Sequence, residues 1–121
     1  MKKVLIVDDA VTVRMYHRTL MEQMDLQVSE AENGIEALER ICDEQFDLLI
    51  VDINMPKMDG YRLLEEVRNN PDLQSTPVIM VSTQTHVEDQ IKALAEGANF
   101  YIVKPADPQE LIQAAELLLG L

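Results

Sequence analysis

Leu48-Leu49-Ile50-Val51-Asp52 is the stretch that decides the fold. Four apolar residues in a row are too few for a helix. None alternates with a polar residue, so the run reads as a strand buried on both faces, closed by a carboxylate. Three more runs have the same form. Val4-Leu5-Ile6-Val7 ends at Asp8-Asp9, Val78-Ile79-Met80-Val81 at Ser82, and Phe100-Tyr101-Ile102-Val103 at Lys104. Strands of this kind belong to a parallel sheet covered by helices. Leu26 to Glu32 does alternate, which suits a fifth strand at the sheet edge.

The stretches between the strands carry helical periodicity. Val13, Tyr16, Leu20 and Met24 form one apolar stripe, and Ile35, Leu38, Ile41 and Cys42 a second. Leu63, Leu64 and Val67 form a third; Ile91, Leu94 and Ala95 a fourth; Leu111, Ile112, Ala115 and Leu118 the last. Asn33 with Glu36, Thr85 with Glu88, and Asp107 with Glu110 have capping-box spacing. Pro108 then falls at a first helical position, and Gly97 where a left-handed helix end is expected. The order is β-α five times over. Right-handed crossovers turn that order into an α/β, doubly wound, five-stranded parallel sheet with five helices, a single domain over residues 1–121.

The charge narrows the function. Twenty-two acidic and 10 basic side chains leave a net charge of −12. Such a surface repels nucleic-acid phosphates, so a nucleic-acid partner is not expected. One cysteine, Cys42, excludes an internal disulfide, and its place on an apolar stripe reads as a core thiol. His17 and His86 show no ligand spacing and read as surface residues. The apolar run after Lys2-Lys3 stops at Asp8, too soon for a signal peptide, and no later run is long enough to enter a membrane. A cytoplasmic protein with a natural start at Met1-Lys2-Lys3 is the expectation.

In doubly wound sheets, ligands bind beyond the carboxyl ends of the strands. Each buried run delivers a polar group there: Asp8 and Asp9, Asp52, Ser82, Lys104. Taken singly these have ordinary readings as turn residues, caps or surface charges. Taken together they place three carboxylates, an ammonium and a hydroxyl at one sheet edge. Unit charges about 4 Å apart repel by roughly 4 kcal/mol at an effective dielectric of 20, so the carboxylates need protons or a cation. An all-oxygen site with few protein ligands suits Mg²⁺. Carboxylate, dication, ammonium and hydroxyl describe phosphoryl transfer, with Asp52 as the central candidate nucleophile.

On these motifs the sequence resembles the response regulator receiver domains, of the stand-alone CheY-like kind. The quoted residues are Asp8-Asp9, Asp52 followed by Ile53-Asn54-Met55-Pro56 and Met58-Asp59-Gly60, Ser82, and Lys104-Pro105. The resemblance implies the flavodoxin-like strand order 2-1-3-4-5, for which CheY is itself a standard example. It implies that Asp52 accepts a phosphoryl group from the phosphohistidine of a sensor histidine kinase or a histidine phosphotransfer domain. Asp8, Asp9, Asp52 and the main-chain carbonyl of Asn54 would hold Mg²⁺. Lys104 and Ser82 would bind the phosphoryl group, and Ser82 with Tyr101 would form the switch. Asn54, Thr83 and Gln84 would tune dephosphorylation, Thr83 being larger than the Ala or Gly common there. The Lys104–Pro105 bond is often cis in this family. A monomer docking a downstream target through about residues 85–119 is implied. The stand-alone form suggests chemotaxis or another motility system.

Other classes compete less well. A flavodoxin-like cofactor binder would need a phosphate loop where Asp8-Asp9 stands, and only five aromatics are available to stack a flavin. A phosphohydrolase acting on external substrates would need a cap or substrate pocket that no stretch of the chain suggests. The alternative on the same fold is a degenerate receiver, a phosphorylation-independent interaction module.

Overall fold

The computed structural model describes all of residues 1–121. The elements run β1 (Lys3–Val7), α1 (Val11–Glu22), β2 (Gln27–Ala31), α2 (Gly34–Asp43), β3 (Leu48–Asp52), α3 (Gly60–Asn69), β4 (Val78–Ser82), α4 (Val87–Ala95), β5 (Phe100–Val103) and α5 (Pro108–Leu119). All strand pairs are parallel, in the order β2-β1-β3-β4-β5, the flavodoxin-like arrangement.

Alternation along each strand divides the core in two. Val4, Ile6, Leu48, Ile50, Ile79, Val81 and Ile102 meet Leu20 and Met21 of α1 and Leu111 and Ala115 of α5 on one side. Leu5, Val7, Leu49, Val51, Val78 and Met80 meet Ala37 and Ile41 of α2 and Leu63, Leu64 and Val67 of α3 on the other. Burying a Leu or Ile fully is worth about 1.5–3 kcal/mol, so the three central strands anchor the domain.

Local signals explain most helix starts. The Asn33 side chain accepts from the Glu36 N–H, and the Asp107 side chain from the Glu110 N–H, with Pro108 following. Asp59 caps α3 in the same way, accepting from the Arg62 N–H. Gly97, at φ 112°, takes the left-handed conformation just past α4.

Four expectations need correction. Thr85 does not cap α4; the helix begins one residue later, behind His86, with no side-chain cap. The stripe of Ile91, Leu94 and Ala95 faces outward, and Ala93 is the buried residue of α4. In α1 the inward face is Arg14, His17, Leu20 and Met21, so Tyr16 lies outside and His17 is a core residue. Cys42 is exposed on α2, because Ala37 and Ile41 turn that helix so that Ile35 and Cys42 look away from the sheet.

Candidate functional site

Register builds the site. Val7 pairs with Val51, Asp52 with Val81, and Ser82 with Val103. Asp8, Asp52, Ser82 and Lys104 therefore emerge at the same end of adjacent strands. The turn after β1 is fixed closely: the Asp8 N–H donates to the Ala31 carbonyl at 3.1 Å, and the Ala10 N–H to Asp8 Oδ1 at 2.9 Å. One carboxylate oxygen from each of Asp8, Asp9 and Asp52 lies within 4.8 Å of the others. Asp8 and Asp52 are buried and Asp9 is exposed, so the cluster opens to solvent on the Asp9 side.

Lys104 closes the cluster. Its Nζ donates to Asp8 Oδ2 at 2.7 Å and lies 3.0 Å from Asp52 Oδ1. Burial alone would lower the Lys104 pKa; its hydrogen bonds to Asp8 and Asp52 outweigh that and raise it. Asp52 moves from 3.8 up to about 6, first because burial disfavours the carboxylate and also because Asp8 repels it, while the bond from Lys104 works the other way. One ammonium thus leaves the three carboxylates under-compensated. An all-oxygen, solvent-open set of this charge fits a small divalent cation.

Other expected positions fall around this centre. The Asn54 N–H donates to Asp52 Oδ1 at a long 3.3 Å, and Asn54 itself is exposed. Ser82 is fully buried; its Oγ accepts from the Gln84 N–H at 3.1 Å. Thr83 and Gln84 are exposed beside it. The Tyr101 hydroxyl donates to the Gln84 carbonyl at 2.8 Å, so the expected switch aromatic is tied to the loop that leaves Ser82. The Lys104–Pro105 bond is cis.

Of three further participants, Arg14 escaped the sequence reading, Gly60 stood there only as part of the Met58-Asp59-Gly60 motif, and His17 was expected at the surface. Arg14 donates from Nη1 to the main-chain carbonyl of Asp8 at 2.7 Å. Gly60 lies so close to the site that a Cβ there would sit 2.5 Å from the Asp52 carbonyl oxygen. His17 is buried on α1, its Nδ1 without a partner, and burial pushes its pKa from 6.5 to about 4. Arg14 and His17 lie three apart on one helical face and could have been found that way. Their polar character hid them from a search for apolar stripes. The Gly60 approach has no signal beyond the glycine itself.

Comparison with known proteins now adds to the geometry. The profile of the response regulator receiver domain matches residues 4–116. The chemotaxis protein CheY1 of Helicobacter pylori is 38% identical over 120 residues, 98% of this chain and 97% of that protein. Protein PilG of Pseudomonas aeruginosa is 37% identical over 112 residues, 93% of this chain and 83% of that protein. Among solved structures, the chemotaxis response regulator CheY4 of Vibrio cholerae superposes with a TM-score of 0.91 at 34% identity, covering 98% of this chain and 99% of that one.

Proposed function

The chain belongs to the response regulator receiver family, and from that premise we propose that Asp52 is the residue on which its phosphoryl group is carried. Receivers accept a phosphoryl group in a two-component relay and catalyse only their own phosphorylation and dephosphorylation. They work with a histidine kinase or phosphotransfer protein on one side and a downstream target on the other. The observation that carries the residue assignment is the Lys104 ammonium lying between Asp8 and Asp52 at the mouth of the sheet.

The chemistry follows from that placement. An Asp52 oxygen attacks the phosphorus of the donor's phosphohistidine. The P–N bond breaks, the ring nitrogen takes up a proton, and an acyl phosphate forms on Asp52. With a pKa of about 6, Asp52 is ionised roughly ten to one at pH 7, so the nucleophile is ready. Mg²⁺ held by Asp8, Asp9, Asp52 and the Asn54 carbonyl would offset charge on the transferring group. Lys104 follows a phosphoryl oxygen, exchanging its bond to Asp52 for one to the phosphoryl group. Ser82 gives its hydroxyl to another oxygen. As its Oγ turns toward that oxygen it draws away from the Gln84 N–H it accepts from, and Tyr101 is tied to the carbonyl of the same Gln84. Hydrolysis restores Asp52: water attacks phosphorus, the acyl P–O bond breaks and phosphate leaves. Asn54, Thr83 and Gln84 border the path of that water and set its rate.

We read residues 1–121 as one receiver domain, monomeric and cytoplasmic. The downstream target docks on about residues 85–119, where Val87, Ile91, Leu94 and Leu117 are exposed. The names of the H. pylori and V. cholerae relatives support chemotaxis or another motility output. No helix is long and apolar enough to cross a membrane.

Intact mass after incubation with acetyl phosphate and Mg²⁺ tests the assignment. One phosphoryl group is expected on the wild type, none without Mg²⁺ and none on Asp52→Asn. An adduct that survives in Asp52→Asn would overturn it.

A further inference from the structure

Arg14 is almost fully buried, 8% exposed, and its guanidinium faces a main-chain carbonyl and two carboxylates, the farther being Glu32, whose Oε1 lies 3.9 Å from Nη2. Nη1 donates to the Asp8 main-chain carbonyl at 2.7 Å, and Nε donates to Glu30 Oε1 at 2.8 Å. Glu30, on β2, is held from its other oxygen by Arg18 Nη1 at 2.6 Å. The chain of bonds runs from two turns of α1, through the edge strand, to the backbone that carries the acidic pair. The Arg14 N–H also makes the first bond of α1, to the Ala10 carbonyl at 3.0 Å. The Asp8-Asp9-Ala10 turn is thus held at its far end by the helix backbone and at its near end by the Arg14 guanidinium, and the second hold alone depends on the arginine side chain.

We propose that Arg14 is a positioning residue for the cation site: by fixing the Asp8 carbonyl it holds the Asp8 and Asp9 carboxylates toward Asp52. This rests on reading Asp8, Asp9 and Asp52 as that site. A planar fork is suited to the task. It meets carbonyl and carboxylate together in one rigid geometry, which a lysine ammonium on a flexible stem does not reproduce. Without the grip, repulsion among the three carboxylates rotates the turn outward, and the cation must first draw it back.

Electrostatics makes the test sharp, because the two effects of Arg14 on a dication have opposite signs. Removing a nearby positive charge strengthens dication binding by Coulomb's law. Releasing the turn weakens it. Positioning predicts that Arg14→Met binds Mg²⁺ at least fivefold more weakly than wild type despite the lost repulsion. Arg14→Lys, which keeps the charge and loses the fork, is expected to be weaker by at least threefold.

The experiment is calorimetric titration of each purified, metal-free protein with MgCl₂, with circular dichroism to confirm folding. Amide exchange at Ala10 in the metal-free state, expected to speed up in both variants, supplies a readout independent of Mg²⁺. Weaker binding in the folded variants with faster Ala10 exchange is the supporting result. Unchanged or tighter Mg²⁺ binding, even with a lowered melting temperature, would show Arg14 to be a packing residue and overturn the proposal. Should Arg14→Met fail to fold, Arg14→Lys decides. A wild type that gives no Mg²⁺ isotherm would instead overturn the cation-site reading, and the role of Arg14 with it.

Discussion

Gly60 sets how near α3 can come to the reacting carboxylate. Any Cβ there meets main-chain atoms of Asp52 and Ile53 at 2.5 and 2.8 Å, and backbone cannot rotate aside as a side chain can. Gly60→Ala is therefore expected to destabilise the protein by about 1–3 kcal/mol, read from the urea midpoint. Because the displaced atom is the Asp52 carbonyl, the rate of acyl phosphate formation should fall in the variants that still fold. Leu63→Ala, one turn on and in the same core, serves as the comparison. It should cost stability, about 2–5 kcal/mol, without a matching loss of rate in the folded fraction. Asp52 and Lys104 were legible in the sequence because each ends a buried run with a charge. The close approach of Gly60 and the hold of Arg14 on the site were not, because the site atoms they meet are the main-chain carbonyls of Asp52 and Asp8, which leave no mark in a pattern of side chains.

Among the helices, α4 is bound most lightly. It buries Ala93 alone, turns Val87, Ile91 and Leu94 outward, and starts at His86 with no side-chain cap. One clear side-chain tie to α3 is the Lys92 ammonium 4.2 Å over the Tyr61 ring. Native-state hydrogen exchange should thus find α4 amides opening well before those of α3, which buries Leu63, Leu64 and Val67. Equal protection in the two helices would contradict this. Replacing His86 by Asp should stabilise α4 by about 1 kcal/mol and slow its exchange. The periodicity of Ile91, Leu94 and Ala95 marked a helix correctly and its inner face wrongly. Periodicity reports that one side differs from the other, and an exposed apolar face has the same signature as a core face. On α1 the error had a different source. Arg14 and His17 take inward places that an apolar count leaves empty, so the face was rotated toward Tyr16. β1, β3 and β4 carried no such ambiguity, since they are buried on both sides. β5, expected to be buried on both faces, is only half-buried at Phe100, Tyr101 and Val103 because it lies at the sheet edge.

At the level of the whole molecule, two buried titrations oppose each other. His17 is lowered from 6.5 to about 4, so the unfolded chain binds more protons in that window, and stability rises with pH there by on the order of 3 kcal/mol. Asp52 is raised from 3.8 to about 6, so the native state binds more protons, and stability falls as pH rises through that range by a similar amount. Metal-free wild type should accordingly show a shallow pH–stability profile between about pH 4 and 6. Asp52→Asn removes one of the two opposing slopes. It should be more stable than wild type at pH 7 and should lose that stability steadily on acidification toward pH 4, as followed by chemical denaturation. A variant as flat as wild type would mean that the two groups do not offset each other. Mg²⁺ at about a hundred times its dissociation constant should add roughly 2.7 kcal/mol to the wild type, since it binds only where the three carboxylates converge. The outward turn of Cys42 has a practical side. The chain has one thiol and no tryptophan, and that thiol stands in solvent on α2, a helix that supplies none of the carboxylates or the ammonium of the cluster. A maleimide dye or nitroxide will therefore mark the native sequence at a single known point, away from the residues of the cluster.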